Sequence, residues 1–300
     1  MNQFPSPFRA DALAGQRILI TGGGTGLGRG VARHLVNHGA EVHLWGRREA
    51  VLREAAEEAS ADTPGRVHFQ AVDVKDYDMV DAAMDEIWTM FGPLTGVINN
   101  AAANFIAQTK DLSPRGFEAV SSTVMNGSFN TTLAAGKRWI EQGIQGNILS
   151  TLTTWVWTGS AFVVPSAMAK AAVHSMTMSL AVEWAKYGIR INALAPGPIP
   201  TDYAWEMLNP TEKSSAGATQ FDAIPAGRPG TIEELANLTI FMLSGACNYL
   251  TGQTIAMDGG QMLAGPGTFA GLTSMTDADW AEAREKSQAA TAASKAQRSV

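Results

Sequence analysis

Residues 21–28 read TGGGTGLG, and they stand between a short apolar run, Arg17–Thr21, and an amphipathic helical pattern over 27–38. A strand that turns this sharply into a helix needs residues without Cβ where the backbone closes on itself or on a bound phosphate. The helix N-terminus then offers unpaired N–H groups to an anion. The rest of the chain repeats the alternation. Further apolar runs at Glu41–Trp45, Val67–Ala71, Gly96–Asn99, Asn147–Ser150, Arg190–Leu194 and Thr254–Met257 are separated by helical patterns near 49–60, 76–91, 114–142, 166–187 and 231–244. Continuous apolar strands with helices between them predict a doubly wound α/β domain, a seven-stranded parallel sheet covered on both faces. Thr231 is expected to cap the last helix, with Glu233 and Glu234 in its first turn.

Residues 1–263 read as one domain and 264–300 as an extension, with a plausible helix from Asp277 to about Ala293. Residues 200–230, rich in Pro, Gly and Ser, suit a flap over a substrate. A net charge of −6 on 300 residues argues against nucleic acid or an anionic membrane as partner. The single Cys247 excludes a disulfide framework and a Cys-based zinc site, and no metal site is expected. The first residues, MNQFPSPFRA, lack the apolar core of a secretion signal. The stretch from Gln142 to Ala169 carries no charge, yet its Gly146, Gly159, Pro165 and many hydroxyls disfavour a membrane span. A cytoplasmic location is therefore expected.

The spacing of Gly22, Gly26 and Gly28 is GxxxGxG, and four more motifs follow in order: Asp73-Val74, NNAA at 99–102, Asn126, and PGPIPT at 196–201. Together they resemble the short-chain dehydrogenase/reductase family, whose Rossmann domain binds a nicotinamide cofactor. The resemblance implies cofactor contacts from Thr21, Gly22, Thr25, Gly26, Leu27 and Gly28 in the first turn, and from Asp73, Val74, Asn99 and Ala101 beyond the next strands. It adds Lys170, Pro196, Gly197, Ile199 and Thr201 on the nicotinamide side. The end of the second strand reads Leu44-Trp45-Gly46-Arg47-Arg48, with no acid before Glu49. An acid there would accept the ribose hydroxyls of NAD. Arg47 and Arg48 instead suit a 2′-phosphate, so NADPH is the expected cofactor.

Most members of the family carry Tyr-x-x-x-Lys with a Ser 13 residues upstream. This chain has Lys170, but Ser166 occupies the tyrosine position and Thr153 the serine position. Ser166 and Lys170 share one helix face. A serine hydroxyl is too weak an acid to replace a phenol in protonating an alkoxide, which disfavours plain carbonyl reduction.

The runs FVVPSAMAKAAV, AVEWAKYGIRINALAPGPI and GTIEELANL resemble the 2,4-dienoyl-CoA reductases, the mitochondrial type in particular, where serine at this position is normal. That resemblance implies hydride addition to a conjugated carbon and a thioester oxygen held by neutral donors. It assigns Asn104 to that oxygen, Phe105 and Ser113 to substrate contacts, Asn126 to a water beside the lysine, and Ser166 to the same network. Phe105 could equally be ordinary core, and Ser113 could simply cap a helix. Where the family has a second tyrosine, this chain has Trp155, either an indole donor to the oxygen or an apolar wall, with Thr153 beside it. An arginine of the flap is replaced by Met207, and a basic contact on the CoA side is Lys75. The tail segment TDADWAEAREK faintly resembles peroxisomal trans-2-enoyl-CoA reductases. The favoured reading is an NADPH-dependent reductase of a dienoyl- or enoyl-CoA. The alternatives are an alcohol/ketone oxidoreductase with Thr153 or Tyr203 as displaced proton donor, and a cofactor-binding protein without turnover. The family resemblance also implies a homotetramer.

Overall fold

The structure, a computed structural model, describes residues 6–61, 66–104, 106–201, 224–265, 276–279 and 281. Its strands are β1 (Arg17–Thr21), β2 (Glu41–Gly46), β3 (Val67–Ala71), β4 (Gly96–Asn99), β5 (Gly146–Thr151), β6 (Ile189–Pro196) and β7 (Thr254–Met257). They form one sheet in the order 3-2-1-4-5-6-7, and every pair is parallel. The expected doubly wound fold is therefore present. The strand order reverses between β1 and β4, so a crevice opens there beyond the carboxyl ends of the strands.

Helices α1 (Gly26–Asn37), α2 (Glu49–Ala59) and α8 (Ile232–Leu243) pack on one face of the sheet. Helices α3 (Tyr77–Phe91), α5 (Gly127–Gln142) and α7 (Val164–Trp184) pack on the other. Each face has its own core: Ile18, Ile20, Val42 and Leu44 point into one, Leu19, Trp45, Val97 and Ile148 into the other. Every central strand is thus apolar on both sides, which is why the strands read as unbroken runs. Short helices α6 (Trp155–Thr158) and α9 (Gln261–Ala264) complete the carboxyl rim. Thr231 caps α8 in a full capping box, its hydroxyl accepting from the Glu234 N–H and the Glu234 carboxylate accepting from the Thr231 N–H.

The uncharged stretch from Gln142 reads from sequence as a buried strand, a loop over the active site and the start of a helix; it resolves into buried β5, the short helix α6 within the expected loop, and the start of α7. Among the described residues no helix is long and apolar enough to cross a membrane. The helical pattern over 114–142 is interrupted: α4 (Pro114–Ser121) and α5 flank one π turn, Ser122–Asn126. Residues 202–223 of the flap, with Tyr203 and Met207, lie outside the described residues, and so does most of the helix expected from Asp277.

At the opposite end of the sheet, burial and the neighbouring His68 hold the His43 imidazole down at about 4, so it is neutral near pH 7.

Candidate active site

The cofactor crevice is made of backbone first. Gly22 has φ +67°, and a Cβ there would stand 2.9 Å from Ala101 Cα. A Cβ on Gly28 would stand 2.5 Å from Gly22 O. No side chain larger than hydrogen fits either place. Thr21 locks the two loops of the crevice together. Its Oγ accepts from the N–H groups of Asn100 and Ala101, each at 3.0 Å, while the Asn100 amide donates to Thr21 O and Gly22 O. Thr25 stands at the N-cap of α1 in extended conformation, but no side chain caps that helix, and its first turn carries no acid. The free N–H groups and the positive end of the helix dipole face the crevice, which fits an anion such as pyrophosphate.

A cleft of about 330 Å³ follows this loop and is bordered by Gly22, Thr25, Arg47, Arg48, Asp73, Val74 and Ala101 among the expected residues. Ala102 of the NNAA motif lines it too, and so do Val51, Leu52, Val72 and Thr123, which the sequence reasoning missed because they are ordinary core or helix residues by pattern. Arg47 and Arg48 are exposed at its rim and form no ion pair with any described residue. The Asp73-Val74 turn is pinned from behind. The Asn130 amide on α5 donates to Val74 O and Lys75 O, at 3.0 and 3.2 Å.

Thr201 reaches the same loop, since a Cβ on Gly26 would lie 3.6 Å from Thr201 Oγ1. Pro196 ends β6, the Gly197 N–H donates to Met257 O, and Ile199 is buried, so the start of the PGPIPT segment is held firmly. Two expected contacts turn inward instead. The Asn99 side chain is buried, with its amide donating to Thr132 Oγ1 at 2.9 Å, and Leu27 packs against the core beneath α1.

The reacting side is carried by β5, α6 and α7. Lys170 is buried and donates to Thr151 O at the end of β5. Burial without a carboxylate partner pushes its ammonium down to about 8. Ser166, one turn earlier on α7, is 3% exposed and stands where the family tyrosine would be. The Thr153 hydroxyl accepts from the Trp155 N–H at 3.0 Å, which turns the chain into α6 and leaves the Trp155 indole half-buried. Asn126 closes the π turn, an irregularity often found at functional sites because it re-aims one residue out of a regular helix. Asn104 is half-buried on the loop after β4, and Phe105 lies outside the described residues. Ser113 is the N-cap of α4, its hydroxyl accepting from Gly116 N–H at 3.1 Å. The capping alternative for Ser113 is the one with a bond to show.

Three of the four tyrosines are described, and none of them bonds Lys170. Tyr77 Oη accepts from Lys137, Tyr187 lies beyond the carboxyl end of α7, and Tyr249 is fully exposed.

A glycine-lined crevice at the switch point and a buried lysine beyond β5 are the features of a nicotinamide-dependent oxidoreductase of the short-chain type. The comparisons agree. The family described as enoyl-(acyl carrier protein) reductase matches residues 22–262, and the chain belongs to it, within the short-chain dehydrogenases/reductases. The chain is 40% identical over 89% of its length to a probable 2,4-dienoyl-CoA reductase 3 of the (3E)-enoyl-CoA-producing type from Caenorhabditis elegans, covering 87% of that protein. It is 42% identical over 82% of its length to a probable 2,4-dienoyl-CoA reductase of the (2E)-enoyl-CoA-producing type from Bacillus subtilis, covering 96% of it. A crystal structure of a short-chain dehydrogenase from Bacillus anthracis superposes with a TM-score of 0.74 at 40% identity, over 82% of this chain and 96% of that one.

Proposed function

We propose that this protein reduces a conjugated acyl thioester, a 2,4-dienoyl-CoA or 2-enoyl-CoA, at the expense of NADPH. The observation that carries the reading is the buried Ser166 on the face of Lys170, with no described tyrosine beside them. A ketone reductase must protonate an alkoxide, and a serine hydroxyl is too weakly acidic for that. A conjugated thioester takes hydride at carbon, and its oxygen carries the developing charge as an enolate. Neutral donors are enough to hold that charge. The relatives named as 2,4-dienoyl-CoA reductases support the substrate class.

In this reading the bound cofactor supplies the hydride. The chain's own residues do the rest. The cradle of α1 holds pyrophosphate, and Arg47 with Arg48 grips the 2′-phosphate that distinguishes NADPH. Lys170 and Ser166 hold the nicotinamide ribose, and Asn126 keeps a water beside the lysine. The Asn104 amide and the Trp155 indole N–H donate to the thioester oxygen, and water protonates carbon. The reading includes a homotetramer. Phe129 on α5 and Val182 on α7, 50% and 84% exposed, leave apolar surface on two neighbouring helices for a second copy to cover. Light scattering measures that directly.

The test is purified protein with NADPH, offered a 2,4-dienoyl-CoA, a 2-enoyl-CoA and a β-ketoacyl-CoA in turn. Oxidation of NADPH with either unsaturated thioester is the expected result. Turnover of the ketone alone would refute the proposal, and tight NADPH binding without turnover on any of them would favour a non-catalytic role.

A further inference from the structure

One cluster of chemically able side chains plays no part in this reaction. It sits at the amino ends of β2 and β3, the opposite end of the sheet from the cofactor crevice. The parallel register of these strands places His43 directly beside His68, and Glu41 projects from the same face of β2, two residues earlier. Glu41 Oε1 is 3.4 Å from His43 Nε2 and 3.6 Å from His68 Nε2, and the three candidate ligand atoms lie within 4.8 Å of one another. Ligands on a tetrahedral ion with bonds of about 2.1 Å are about 3.4 Å apart. The two distances from Glu41 already match, and a small turn of either imidazole ring brings the third into range.

A second observation points the same way. His43 is 2% exposed, and its Nε2 has no hydrogen-bond partner. A buried ring nitrogen left unpaired costs free energy that a ligand would return. Phe91, at the carboxyl end of α3, packs its ring against both imidazoles, with centroids 4.9 Å from His43 and 4.2 Å from His68, and covers the inner side. The outer side is open: the Glu41 and His68 side chains are 28% and 27% exposed, enough for an ion to enter with a water. Arg17 on β1 faces the carboxylate from the other flank, with Nε and Nη2 at 2.9 and 3.0 Å from its two oxygens. It orients Glu41, and its positive charge also sets a limit on affinity.

We propose that Glu41, His43 and His68 form a site for a borderline divalent transition-metal ion of the zinc class, with water in the fourth position. Two imidazoles and one carboxylate select such an ion over magnesium or calcium, which prefer all-oxygen sites. The position rules out a part in hydride transfer. β2 spans six residues, which at about 3.3 Å each separates the cluster from the Arg47 end of the cleft by roughly 15 Å. Since β3 is the edge of the sheet, a bound ion would staple the edge strand to its neighbour.

The experiment uses the full chain stripped with chelator, titrated with Zn²⁺ against a chromophoric competitor and melted with and without the ion. One equivalent of Zn²⁺ should bind and raise Tm, and Mg²⁺ should not. His68→Gln should weaken Zn²⁺ binding by about tenfold or more and abolish the Tm rise, while His34→Gln on α1 leaves both intact. His43 is buried and its variants are vulnerable to misfolding, so the half-exposed His68 and Glu41→Gln carry the test. Failure of the parent protein to bind Zn²⁺, an equal response to Mg²⁺, or binding that survives both His68→Gln and Glu41→Gln would overturn the proposal. NADPH-linked turnover is expected to be unchanged in His68→Gln, so this result is independent of the catalytic reading.

Discussion

The cofactor crevice and the reacting pocket share the carboxyl edge of one sheet, yet they are specified in different ways. The crevice is written in backbone. Gly22 and Gly28 leave room that no Cβ could share, Thr21 ties two loops together, and α1 presents bare N–H groups. The pocket is written in side chains, and in the proposed reading serine at position 166 redirects the chemistry while the helix that carries it stays regular. Backbone sites tolerate few sequences and advertise themselves. Side-chain sites change function without changing fold.

Experiments can break that comparison or sharpen it. The largest effect is expected from Gly28→Val, whose Cβ would collide with Gly22 O, already only 2.5 Å away. NADPH affinity should fall by about a thousandfold or the chain should fail to fold, as fluorescence titration and circular dichroism will tell. A near-native affinity would mean that the loop is not the cradle. Next comes Asn104→Ala, expected to lower kcat by about a hundredfold on an unsaturated thioester if the amide holds the enolate oxygen. An unchanged rate removes that assignment. Arg47→Ala should raise the KM for NADPH by roughly tenfold or more and leave that for NADH unaltered, since only the former carries the phosphate a guanidinium grips. Equal effects on both cofactors would show a general electrostatic role.

The smallest effect is on pH. Lys170 titrates in the free enzyme near 8 because burial disfavours its charged form. If the ammonium is the working species, kcat/KM should fall about fivefold between pH 8 and pH 9, and Lys170→Met should be flat there. The linked stability has a definite sign. Between about 8 and the ordinary lysine value of 10.5, the unfolded chain binds the proton that the native lysine has released. The cofactor-free fold should therefore gain stability as pH rises through that window and lose it again as pH falls through 8. Denaturant melts at several pH values measure this.

Much of the fold was legible because its signals are local. Strand composition, helical period and the Thr231 capping box all lie within a few residues of one another, and the structure reproduces the expected strands to within two residues at either end. β6 runs on to Pro196 because that segment pairs with β7, which apolarity alone does not announce. The long pattern over 114–142 read as one helix and gave no sign of the π turn at Ser122–Asn126, because a wider turn is closed by backbone bonding that no residue type announces. Of the expected site residues, Gly22, Thr25, Arg47, Arg48, Asp73, Val74 and Ala101 line one cleft. Asn99 did not join them. Its amide is spent inside on Thr132, a partner 33 residues away.

The sequence by itself determined the order of elements, the glycine turn between β1 and α1, and the placing of Ser166 and Lys170 on one helix, because each follows from the pattern within one element or one tight loop. Tertiary structure alone decided which way Asn99 faces, which loop Thr21 clasps, and that Glu41, His43 and His68 converge. Histidines 25 positions apart become neighbours only when two parallel strands settle into register. That register is chosen by packing on both faces of the sheet at once, a condition no single stretch of chain contains.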